Sequence, residues 1–213
     1  MSIAQLLLAG GNSPATVTFT DSSVDATDAT IYTFSAQSLG TAAGNRKTVV
    51  AAYGSIGSTS VLALVVNGVS ASLAASAAFS TGTIELWEAA VPTGTSGDIV
   101  VTWLGAQSRC GIGVWAVYGG NATPFDTAVD ISGGDPMGLQ INVDTGGVLI
   151  AAAFNSNGST FTWGGIDEDY DEAVEGANTQ TGASRAFTNF AFNHSVSCNP
   201  SSSSDQALVA ASW

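Results

Sequence analysis

Cys110-Gly111-Ile112-Gly113-Val114-Trp115-Ala116-Val117-Tyr118 carries no charge, and small and large side chains alternate along it. Valine, isoleucine and the aromatic residues suit a pleated strand. Glycine inside such a strand implies close backbone approach or room for a neighbouring ring. The stretch therefore reads as a buried strand in a tightly packed sheet. Its surroundings repeat the pattern. Thr16-Val17-Thr18-Phe19-Thr20 and Ile31-Tyr32-Thr33-Phe34 alternate with period two, which marks a sheet with one wet and one buried face. Residues 48–53, 60–66, 83–89 and 99–103 follow as further strands. Residues 147–154 read as a buried strand, 159–163 as a short partner, 183–192 as an alternating strand and 206–213 as the last one.

Turns separate these segments. Gly54-Ser55-Ile56-Gly57-Ser58 and Asn67-Gly68 are strong turn signals. Pro92-Thr93-Gly94-Thr95-Ser96-Gly97 is short enough to make its two strands antiparallel neighbours. Helix signals are confined to residues 2–8, 67–79 and 167–179. Glycine and β-branched residues weaken the second, and the third has few core-directed residues. About eleven to thirteen short strands without crossover helices predict an all-β fold. The expected architecture is an antiparallel β-sandwich, a two-sheet jelly roll with additions, and an immunoglobulin-like sandwich is second. No linker-like stretch divides the chain, so residues 1–213 are expected to form one sandwich domain, with docking segments at 1–12 and 205–213.

Composition bounds the function. Four Lys and Arg against 17 Asp and Glu give a formal charge of −13. Four scattered cations cannot build a phosphate-binding footprint, so nucleic acid is excluded as a main partner, and anionic membranes are disfavoured. The longest apolar runs fall far short of a membrane helix, and residues 1–8 lack the basic start of a secretory signal. Cys110 and Cys198 fit no close-spaced metal pattern. Two buried thiols are expected, with a lone disulfide as the alternative.

Few residues suggest chemistry. Asp167, Asp169 and Asp171 have the alternating spacing of a calcium loop, but Glu172 and Asn178 stand where that loop needs glycine and glutamate. A solvated acidic loop is the plainer reading; calcium is the one candidate cofactor. His194, the single imidazole, has Ser195, Cys198 and Asp205 nearby in sequence, yet no nucleophile elbow or protease signature surrounds it. Glu85 and Glu88 should lie on opposite faces of a strand, which makes them poor partners for acid–base work. Arg46 and Lys47 begin a strand and are expected to stay wet, whereas Arg109 should bond a carboxylate or backbone carbonyls. Trp87, Trp103 and Trp115 are expected in the core and Trp163 near a rim. Trp213, at position 213, should fill a groove on its own subunit or a neighbour. Ile3, Leu6, Leu7 and Leu8 form an apolar cluster suited to closing one end of the domain or docking on an adjacent subunit. Leu6, Leu7, Leu8 and Trp213 are thus the candidate assembly residues.

Residues 65–71, 84–101 with the Val91-Pro92-Thr93-Gly94-Thr95-Ser96-Gly97 connection, and 109–119 resemble a β-sandwich module of tailed-phage virion proteins. The resemblance covers about residues 45–120, roughly a third of the chain, and brings no catalytic residues with it. It implies a non-enzymatic structural protein of a bacteriophage virion, outside the head or tail, of the decoration, spike or fibre type. Such a protein would be made in the host bacterial cytoplasm and would assemble with itself, a trimer being the expectation, and with other virion proteins. A carbohydrate- or host-receptor-binding module of a virion is the alternative, and a hydrolase using His194 the third reading.

Overall fold

A computed structural model describes residues 14–55, 59–202 and 204–213. The candidate helix at 2–8, the apolar cluster of Ile3, Leu6, Leu7 and Leu8, and the docking segment 1–12 lie outside the described residues. The described chain is antiparallel strand and turn, without helix. Its first nine strands are β1 (Thr16–Asp25), β2 (Ala29–Ser38), β3 (Arg46–Gly54), β4 (Val61–Val66), β5 (Val69–Ser70), β6 (Ser72–Phe79), β7 (Gly82–Ala90), β8 (Ser96–Gln107) and β9 (Cys110–Tyr118). Eight more follow: β10 (Asp126–Asp130), β11 (Met137–Val143), β12 (Val148–Asn155), β13 (Phe161–Gly164), β14 (Asp167–Ala173), β15 (Thr179–Ala186), β16 (Ala191–Pro200) and β17 (Gln206–Ser212).

Four sheets result, and they come in two equivalent pairs. The first pair has the orders β1-β9-β3-β7-β6 and β2-β8-β4-β5; the second has β10-β17-β12-β15-β14 and β11-β16-β13. Substituting β10 to β13 for β1 to β4, and β14 to β17 for β6 to β9, converts the first pair into the second. Only the two-residue β5 has no counterpart. Most successive strands alternate between the sheets of a pair, the hairpins β4–β5, β6–β7 and β14–β15 excepted, which is jelly-roll-like connectivity. What the sequence presents as additions to a two-sheet roll is a second pair of sheets with the same connectivity.

The strand period places the layers. In β3, Val49, Ala51 and Tyr53 join one core and Val50 and Ala52 another; in β12, Ile150 and Ala152 join one and Leu149 and Ala151 another. The two five-stranded sheets therefore lie face to face as inner layers. The sheet of β2, β8, β4 and β5 covers the first, and the sheet of β11, β16 and β13 covers the second. Inner strands buried on both faces cannot alternate apolar with polar residues, which accounts for runs such as Val148–Asn155.

Rings on one inner sheet press into glycines on the other. A Cβ added at Gly182 would stand 2.7 Å from the Trp115 ring, one at Gly82 2.7 Å from Phe154, and one at Gly113 would strike the Tyr170 ring. Phe19 stacks on Tyr170 at 5.1 Å, and Tyr53 on Phe154 at 5.0 Å. The small–large alternation of β9 thus makes room for neighbouring rings.

Several local expectations change. The short strand β13 pairs with β16 rather than with β12, and residues 67–79 form β5 and β6 rather than a helix. Lys47 is buried. Arg46 is 2% exposed rather than wet. Its guanidinium donates to the carbonyls of Val91, Gly40, Thr93 and Gly94 at 2.7–2.9 Å, which pins the 91–94 connection. Residues 183–192 are not one strand: β15 ends at Ala186 and β16 begins at Ala191. The acidic segment expected as a loop is the edge strand β14, paired to β15. Both cysteines are free and buried, and Trp87, Trp103 and Trp115 are core residues.

The ring-into-glycine contact predicts a sharp contrast between two glycines. Gly113→Ala should lower stability in urea by about 1–3 kcal/mol through overpacking. Gly44→Ala, where a Cβ meets nothing within 4 Å, should change it by less than about 0.5 kcal/mol. Equal midpoints for the two variants would refute the contact's importance.

Candidate functional site

The densest buried polar group joins the two pairs of sheets. Lys47 is the second residue of β3 and Glu88 lies on β7, beside it in the inner sheet. Both are buried, and Lys47 Nζ is 2.7 Å from Glu88 Oε2. Trp213 follows β17 and is completely buried within its own chain. Its Nε1 donates to the same Glu88 oxygen at 2.6 Å, and Lys47 Nζ lies 5.4 Å from the centre of its ring. Lys47 also donates to the carbonyls of Asn121 and Ala122 at 2.8 and 3.0 Å, in the connection between β9 and β10. Backbone bonds between Trp213 and Val148 hold the same residue to β12. The Lys47–Glu88 pair therefore ties together the first inner sheet, the crossing connection and the end of the second inner sheet. Burial pushes the Lys47 amine below its ordinary value, and Glu88 opposes that shift. Neither the burial of Lys47 nor the bond from Trp213 to Glu88 is legible in the sequence, because the two partners lie 41 and 125 residues from Glu88.

Glu85 faces the other way along β7, as strand spacing requires. It accepts from Trp87 Nε1 at 2.8 Å and Ser76 Oγ at 3.1 Å. Burial raises its carboxyl above the ordinary value of 4.5, against the lowering effect of these bonds. The two glutamates thus serve separate cores and form no acid–base pair.

The acidic strand divides its carboxylates. A register shift between Glu168 and Tyr170 places Asp169 at a bulge. Asp169 accepts from Trp115 Nε1 at 2.7 Å, and Asp171 accepts from the Phe161 backbone N–H at 3.0 Å. Burial raises the Asp169 carboxyl, with Asp167 adding to the effect; Glu168 is raised by burial and by Asp171. Asp167 thus neighbours Asp169, and Glu168 neighbours Asp171. Among the described residues, no three His, Cys, Asp or Glu side chains are gathered as a metal would need.

His194 Nε2 lies 2.6 Å from the Gly165 carbonyl oxygen, and its ring stands edge-on to Phe187 at 4.9 Å. Ser195 follows it on β16 and points to the opposite face, while Cys198 is buried. The three are not brought together. Arg109 donates to the Glu175 carbonyl at 2.7 Å, and Trp163 is half-buried with its Nε1 on Thr181 Oγ1.

The outer faces of the two covering sheets differ. The β11 and β16 face presents Gly138, Gln140, Ser195, Ser197 and Asn199. The β2, β8 and β4 face presents Ile31, Leu62 and Leu104, which are 59%, 61% and 64% exposed. Register places them together: Ile31 and Ala63 both pair with Thr102, and Leu62 occupies a bulge beside Trp103. A third apolar surface holds Phe125, Phe190 and Phe192, the first two edge-to-face at 6.3 Å. No protein family, curated protein or solved structure matches the chain.

Two measurements test the buried groups. Glu88→Gln should cost about 3–5 kcal/mol, since it strands the Lys47 charge, and adding Lys47→Met should restore much of the loss. Losses that simply add in the double variant would rule out the coupling. For Glu85, the folded state holds its proton above the unfolded value, so stability falls as pH rises from about 4.5 through the raised folded value. Glu85→Gln should remove that part of the slope in urea titrations across this range; an unchanged slope would dismiss Glu85 as its source.

Proposed function

We propose that this chain is a structural protein of a tailed-phage virion, placed outside the head or tail, where it assembles and stabilises the particle. The observation that carries the reading is the chemical difference between the two ends of the four-layer stack. One end face is polar and wet. The other holds Ile31, Leu62 and Leu104 in water, as a docking surface would. A block of doubly buried sheets, closed by the Lys47–Glu88–Trp213 lock, is a stiff unit suited to carrying load between such faces. The polar side chains offered for chemistry are held in backbone or core contacts, which favours a non-enzymatic role. The resemblance over residues 45–120 points to the same class. The self-association expected of such a part is compatible with the −13 charge, which keeps free subunits apart before assembly.

A carbohydrate- or receptor-binding module of a virion is the second reading. It is favoured by Phe125, Phe190 and Phe192, exposed near Asn142 and Asn193, whose backbone N–H bonds the Asn142 side chain. Aromatic faces beside amides can stack on sugar rings and hydrogen-bond them.

Particles produced by the genome that encodes the chain provide the test. An antibody raised against it should decorate their exterior in electron micrographs. Bare particles, with the chain only in the soluble fraction, would overturn the structural reading. A glycan array separates the second: binding abolished by Phe192→Ser would support it, and a blank array would remove it.

A further inference from the structure

We propose that the outer face of β2, β8 and β4 is a self-association surface, whose occupant is the same face of a second copy. The inference rests on the end face used above but names its partner. Charge distribution carries the argument. The chain has 17 acidic residues and four cationic ones. Two of those cations, Arg46 and Lys47, are buried, and Arg109 is half-buried. The surface is therefore almost wholly anionic, and two copies repel each other in most orientations.

Both end faces of the stack are free of ionisable side chains, but this one alone of the two is also apolar. Its outward positions are Ile31 and Thr33 on β2, Val100, Thr102 and Leu104 on β8, and Leu62, Ala63 and Val65 on β4. None is ionisable. Asp98, at the start of the same side of β8, spends one carboxylate oxygen on the Ala36 backbone N–H at 2.9 Å. Copies that repel elsewhere can thus approach here without burying a charge. The inner layers already show two such sheets packed face to face within one chain, and among the described residues nothing covers this outer face.

Area sets the strength. Strands β2, β8, β4 and β5 have 10, 12, 6 and 2 residues; at a rise of ~3.3 Å and a spacing of ~4.8 Å the sheet presents roughly 450 Å2. Two copies would bury about 900 Å2, below the ~1,200 Å2 of stable complexes. The pair should be weak in isolation, with a dissociation constant on the order of 100 μM. It would fill only where copies are concentrated, as on a particle surface. Because the opposing force is like-charge repulsion, association should tighten with salt. The Debye length shrinks from about 30 Å at 0.01 M to about 8 Å at 0.15 M.

Sedimentation velocity on the full chain, from about 10 μM to about 1 mM, reads this directly. Dimer should hold about half of the chain at ~100 μM, and its dissociation constant should fall at least about threefold between the two salt concentrations. Leu104→Glu or Leu62→Glu should abolish it, while Gln140→Glu on the polar end face and Phe192→Ser should leave it intact. Should the glutamate variants fold poorly, Thr102→Cys supplies a second measurement. A short bis-maleimide should cross-link it into dimers, and should not cross-link Gln140→Cys, because both native thiols are buried. A monomer at every concentration and salt would overturn the proposal, as would loss of dimer in Phe192→Ser with Leu104→Glu unaffected. Decorated particles together with a monomeric chain would overturn the second copy as occupant but sustain the virion reading. Dimer formation with bare particles would do the reverse.

Discussion

Everything in this fold depends on two sheets being buried on both faces at once. A strand in such a sheet has no wet side, so every residue must match a neighbour above and below. Long side chains on both faces would hold the layers apart. The chain answers with short ones, and a ring on one layer meets a glycine on the next, as Trp115 meets Gly182 and Phe154 meets Gly82. Interiors packed at crystal-like density leave no slack for an added methyl. The same constraint explains why charged residues make up only 10% of the chain. Most of the inner surface cannot accept them. Where charge enters, it sits at a boundary and is compensated, as at Lys47 and Glu88, or is wrapped by carbonyls, as at Arg46.

Much of this was legible residue by residue. The period-two segments at 16–20 and 31–34 belong to strands with a solvent-facing side, and the charge-free run from Cys110 to Tyr118 is a central inner strand. The all-β class followed from those patterns. The number of layers did not, because periodicity reports how many faces of a strand are buried but not which sheet does the burying. The internal duplication was equally hidden, since equivalent strands share connectivity and not side chains. β3 holds Arg46 and Lys47 where β12 holds Val148 and Leu149 near its start.

The misread segments share a cause. Local composition was asked to decide something that distant partners settle. Arg46 and Lys47 looked wet because cations usually are. Arg46 is dry because carbonyls at 40, 91, 93 and 94 converge on it. Residues 167–172 looked like a loop because carboxylates are poor strand formers. They form an edge strand, where charge is an advantage: it discourages further strands from adding there, and the bulge at Asp169 reinforces the effect. Of the candidate site, the separation of Glu85 from Glu88 was predictable from strand period. The burial of Trp213 against Glu88 was not, since nothing near position 213 names its acceptor.

Shared connectivity makes the two ends of the stack comparable. Both covering sheets descend from one connectivity, with equivalent central strands in β8 and β16. Each turns one face inward to an equivalent core. The outward faces are under no such packing constraint, so their residues are set by what they touch. At one end those residues are glycine, serine, asparagine and glutamine; at the other, leucine, isoleucine and valine stand among threonine and alanine. Packing gives no reason for leucine at 62 and 104, because both side chains point away from the core beneath them. An exposed leucine alone would mean little. Three large aliphatic side chains around Thr102 stand exposed where the equivalent face carries amides and hydroxyls, and the proposed self-association rests on that contrast rather than on any one leucine.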